Sequence, residues 1–170
     1  WGVETDAFKT AFREYLQGMQ GDDKDRDKLI SRLMWCVDVW DRHRREYFPD
    51  GICDRPLKYP FFESPGQAGA AEEPAKYKLI GSAGQPSVIA IRNNLLMGTS
   101  DLTIWKSDDG ERRLVLKKDH PKRDDYIERL IVHELLHQYL VESASESVRR
   151  EYTQQTSSGA AANGGEFKAY

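Results

Sequence analysis

Two histidines, His133 and His137, stand four residues apart, with a glutamate, Glu134, directly after the first. In a helix, residues i and i+4 share one face about a turn apart, so the two imidazoles can grip one ion. Zinc suits such a pair because it is borderline soft, accepts imidazole nitrogen and takes tetrahedral geometry. Glu134 falls at the edge of that face, where it can reach a water beside the ion instead of the ion itself. A carboxylate in that place takes the water's proton, and the nucleophile so formed attacks a polarised carbonyl. The pattern points to metal-assisted hydrolysis of peptide bonds, with His133 and His137 as zinc ligands and Glu134 as the catalytic general base. The plainer reading is a pair of hydrogen-bonded core histidines. Against it, two imidazoles and a carboxylate on an apolar helix are costly to bury without further partners.

The element that must position these residues reads as a helix, opened by Asp124 or Asp125 just after Pro121 and running to about residue 142. Its apolar residues include Tyr126, Ile127, Leu130, Ile131, Val132, Leu135, Leu136, Tyr139, Leu140 and Val141. At 100° per residue they cover nearly the whole circumference, which predicts a helix buried on all sides. Two further helices are expected upstream. The first is capped by Thr5 or Asp6 and carries Phe8, Phe12 and Leu16 at helical spacing. The second covers residues 26–47, with Leu33, Met34, Val37 and Trp40 in its stripe.

Residues 60–75 are expected to be a flexible insertion, because Pro, Gly and Ala crowd there. Short strands are expected at residues 76–80 and 87–91, and a hairpin at residues 101–117 around Asp108-Asp109-Gly110. Residues 153–165 are rich in Ser, Gly and Ala and read as a mobile tail.

The chain has 170 residues, enough for a single domain over 1–170 with its own core. Its net charge is −3, so nucleic-acid binding would need a local basic patch. Arg42, Arg44, Arg45, Arg112, Arg113, Lys117, Lys118, Lys122 and Arg123 are the residues that could form one. No apolar run is long enough for a membrane span, and the first residues lack the layout of a signal peptide. Cys36 and Cys53 read as reduced core thiols of a cytoplasmic protein, and no Cys-x-x-Cys occurs.

The run Ile131-Val132-His133-Glu134-Leu135-Leu136-His137-Gln138, preceded by a strand at residues 113–117, resembles the SprT-like (Spartan-type) zinc metallopeptidases. That family includes proteases that cut DNA–protein crosslinks. The resemblance implies an α+β, zincin-like fold: N-terminal helices, a small mixed sheet with a hairpin, then the buried metal helix. It also implies a Zn2+ cofactor, a protein or peptide substrate, and DNA as a partner. The family pattern continues to a His-Gly-x-x-Phe element whose His is the third ligand, where this chain has Asn163-Gly164-Gly165-Glu166-Phe167. Asn163 therefore stands where the third His is expected, and a neutral amide binds zinc poorly. Glu142, Glu146, Glu151 and Glu166 are carboxylates that could serve instead, Glu166 coming nearest to the layout of thermolysin-type enzymes, while His43 and His120 are weaker candidates. Two rival readings stay open: a catalytically impaired member of the fold acting as a binding module, and a zincin peptidase acting on a regulator or as a toxin.

Overall fold

The computed structural model describes residues 2–18, 23–51, 57–65, 73–78 and 87–143. The elements run α1 (Gly2–Gln17), α2 (Asp23–Tyr47), β1 (Phe61–Glu63), β2 (Ala75–Lys78), β3 (Val88–Ile91), α3 (Asn93–Leu96), β4 (Leu102–Lys106), β5 (Arg113–Leu116) and α4 (Arg123–Ser143). This is a mixed α+β architecture, as expected.

Helix α1 turns Phe8, Phe12 and Leu16 toward α2 and β1. Phe12 and Leu16 are buried, and the Phe12 ring lies 5.5 Å from that of Phe61. On α2 the buried residues Leu33, Met34, Val37 and Trp40 recur at spacings of three and four, one face of a helix against the core. The first sheet has the order β1-β3-β2, with β1 parallel and β2 antiparallel to β3. Its central strand, Val-Ile-Ala-Ile, is buried throughout, which explains an apolar run without alternation.

Strands β4 and β5 form a separate two-stranded antiparallel sheet with a bulge between Thr103 and Trp105. Its turn is closed by the Ser107 amide donating to the Arg112 carbonyl at 2.8 Å. Gly110 sits there at φ 74°, a left-handed conformation that residues with a Cβ rarely adopt.

Two expectations need correction. Residues 60–75 are not an insertion throughout, since Phe61–Glu63 forms β1 and Ala75 opens β2. Pairing with the buried strand β3 overrides the loop-like composition. The second concerns α4, which is buried along one side and not all round. Ile127, Ile131, Glu134, Leu135, His137, Gln138, Val141 and Glu142 are buried, while Leu130, Val132, His133, Leu136, Tyr139 and Leu140 are only partly covered. Helix α3 was not expected from the sequence, and four residues give too little periodicity to read. The expected mobile tail, residues 153–165, lies outside the described residues, as does Cys53. Cys36 is a free, buried thiol whose pKa burial pushes far up. Among the described residues no helix is long and apolar enough to cross a membrane.

One side chain joins the start of α4 to the elements before it. The buried guanidinium of Arg123 donates to four carbonyls: Leu95 at 3.0 Å, Lys117 at 2.8 Å, Asn94 at 2.8 Å and Ser100 at 2.9 Å. The planar fork of arginine makes such multiple donation to fixed acceptors geometrically natural. Arg32 caps the neighbouring Leu96 carbonyl at 3.0 Å and pairs with Asp124 at 2.7 Å, so α2, α3 and α4 are locked together at one end.

Candidate metal centre

Helix α4 brings His133 and His137 onto one face, as their spacing requires. His137 is fully buried and His133 is half-buried. Their Nε2 atoms lie 3.0 Å apart, with ring centroids at 4.7 Å and planes at 74°. Two imidazole nitrogens bound tetrahedrally at the usual zinc distance sit about 3.3 Å from one another. The pair thus matches a zinc-binding geometry to within a few tenths of an ångström. The same distance is also that of an N–H···N hydrogen bond between the two rings.

Glu134 is buried, 3% exposed, and faces β2. Its Oε2 accepts the Tyr77 backbone N–H at 2.7 Å. That amide belongs to a strand at the edge of the three-stranded sheet, so the carboxyl group occupies part of the free edge. Burial pushes the Glu134 carboxyl up to about 8; the Tyr77 N–H opposes this, the Glu73 carboxylate adds to it, and the Lys76 ammonium works against it.

Gln138, the residue after His137, holds the helix in place. The Trp40 indole donates to its Oε1 at 2.8 Å, and its amide donates to the Lys58 carbonyl at 2.6 Å and to Glu142 Oε2 at 2.7 Å. The Lys58 N–H donates to Glu142 Oε1 at 3.2 Å. This network ties α4 to α2 and to the segment entering β1, and it fixes the roll of the helix that aims the two imidazoles.

Among the described residues no group of three or more His, Cys, Asp or Glu is placed to hold a metal, so no third candidate ligand joins His133 and His137 there. Both Glu142 oxygens are engaged by Lys58 and Gln138. His120 is exposed, and its Nδ1 accepts the Lys122 N–H at 3.0 Å. His43 stacks on Tyr47 at 5.8 Å and approaches Glu128 at 3.9 Å. Asn163, Glu146, Glu151 and Glu166 lie outside the described residues.

The suggested basic face is reduced in the same way. Arg44 is fully buried, its Nε donating to Asp41 at 2.8 Å and its guanidinium lying 5.0 Å from the Trp40 ring, and Arg123 is spent on backbone carbonyls.

Sequence reasoning missed Tyr77, Gln138 and Glu73 as neighbours of the site. Gln138 had a signal, being a polar residue inside an apolar helical run. A backbone amide such as that of Tyr77 leaves none. Compared with family models, curated proteins and solved structures, the chain matches no family model, no curated protein and no solved structure.

Proposed function

We propose that the chain is a zinc-dependent metallopeptidase with a zincin-like fold, hydrolysing peptide bonds in protein substrates. The observation that carries this reading is the convergence of the His133 and His137 Nε2 atoms at 3.0 Å, one residue from a buried carboxyl on the same helix. His133 and His137 would hold Zn2+, with a further ligand from outside the described residues. When bound, zinc supplies a Lewis acid that polarises a carbonyl and acidifies water.

The protein's own part is positioning and proton transfer. Glu134 is fixed by the Tyr77 N–H and takes the proton of the attacking water. In a metal-free site its raised pKa keeps it protonated at neutral pH. Beside a cation the carboxylate form is favoured, so the group becomes a base only where it is needed. Strand β2 lies against Glu134, whose carboxyl takes the outward Tyr77 N–H of that strand. DNA as a partner rests on the SprT-like resemblance alone.

The test is Glu134→Gln in the full chain, assayed on an unfolded protein such as casein with bound zinc measured in parallel. The amide keeps the shape but accepts no proton. Zinc content should stay the same while hydrolysis falls by roughly 100-fold or more. Equal cleavage by both proteins would remove Glu134 from its role. The 3.0 Å His133–His137 contact also favours a second reading, a hydrogen-bonded core pair without metal. Wild-type protein that holds no zinc after dialysis against it would decide for that reading.

A further inference from the structure

A groove of about 650 Å³ runs along β4, far along the chain from the histidines. Asp101 to Lys106 line it without a gap, together with Arg92 and Asn94. Side chains of a regular strand alternate between its two faces, and the bulge between Thr103 and Trp105 breaks that alternation, so consecutive residues of β4 line one groove at the strand's outer edge. Strand β4 pairs only with β5, so among the described residues that edge has no strand partner. An unpaired edge presents backbone N–H and C=O groups to an added strand.

The charges in the groove are unequal. The Asp101 carboxylate accepts the Lys118 N–H at 2.8 Å and the Lys117 ammonium at 3.4 Å, so its charge is already answered. Arg92 and Lys106 have no carboxylate partner among the described residues. Ile104 and Trp105 stand 37% and 49% exposed along the same strand, and Leu114, the partner of Trp105 across the hairpin, stands 58% exposed, so the apolar surface here is contiguous.

The geometry points to a docking site for an extended acidic polypeptide segment, which adds as a strand to the free edge of β4. Its carboxylates face Arg92 and Lys106, and its apolar side chains cover Ile104 and Trp105. Five residues of β4 span roughly 17 Å, so a segment of about five or six residues fills the edge. The site stands whether or not His133 and His137 hold zinc.

The test measures binding of three labelled peptides to the full chain: an alternating Glu-Val hexapeptide, the same peptide N-methylated at alternate residues, and its Lys-Val counterpart. The Glu-Val peptide should bind at least tenfold tighter than either of the others, and backbone amide shifts should centre on residues 102–106. The double variant Arg92→Glu with Lys106→Glu should reverse the order of the Glu-Val and Lys-Val peptides. N-methylation without effect would exclude strand pairing. Amide shifts centred on β2, or displacement of the peptide by a single-stranded oligonucleotide with higher affinity, would assign the groove to another occupant or none. If the double variant does not fold, the wild-type comparison with the N-methylated peptide decides alone.

Discussion

Glu134 makes a sharp prediction about the metal-free protein. Its folded carboxyl titrates at about 8, against an ordinary 4.5 in the unfolded chain, because burial penalises the charged form. A raised carboxyl pKa means that the folded state favours the protonated group. The stability it contributes is therefore fully present below about 4.5 and is lost as pH rises toward 8, after which the dependence is flat. The interval corresponds to roughly 4–5 kcal/mol, a large part of the 5–15 kcal/mol typical of a domain.

Glu134→Gln removes the titration while keeping an oxygen that accepts the Tyr77 N–H. Urea denaturation of both proteins at pH 5 and pH 8.5, with a chelator present, isolates this one group, since every other titrating residue is shared. The variant's advantage over wild type should grow by several kcal/mol between the two pH values. An advantage that does not change with pH would refute the reasoning, because it would mean that the carboxyl is hydrated or neutralised in the folded chain.

Replacing His133 or His137 by Ala should abolish tight zinc binding, read as metal per chain by elemental analysis; unchanged stoichiometry in both variants removes the metal site. Because Lys58 and Gln138 already engage Glu142, Glu142→Gln should lower stability by roughly 1–3 kcal/mol in urea and leave the zinc dissociation constant unchanged. Asn163→His should tighten zinc binding if that position supplies the third ligand, since imidazole is a far better donor than an amide. Arg123→Ala should cost roughly 2–4 kcal/mol, as the Leu95, Lys117, Asn94 and Ser100 carbonyls lose their shared donor. Arg123→Lys should recover little of that loss, because an ammonium cannot fork to all four.

The residues alone determined what local physics controls. Helical spacing placed His133 and His137 on one face of α4, and the apolar stripes of α1 and α2 were legible as periodicity. The hairpin followed from its turn, where Gly110 supplies the positive φ that the tight reversal demands. Composition misled at Phe61–Glu63, where a parallel partner in β3 made a strand of residues that looked like loop. It misled again on α4, where an apolar sequence on all sides did not say which side would face the core.

Tertiary structure alone decided the environment of Glu134. The Tyr77 N–H that holds Glu134 is 57 residues away, and the Trp40 indole that fixes Gln138 is 98 residues away. A carboxyl's pKa depends on burial and on every charge and donor packed against it. Those neighbours come from β2 and the residues just before it, whose approach to α4 is set by packing of the whole core and not by any pattern within the helix.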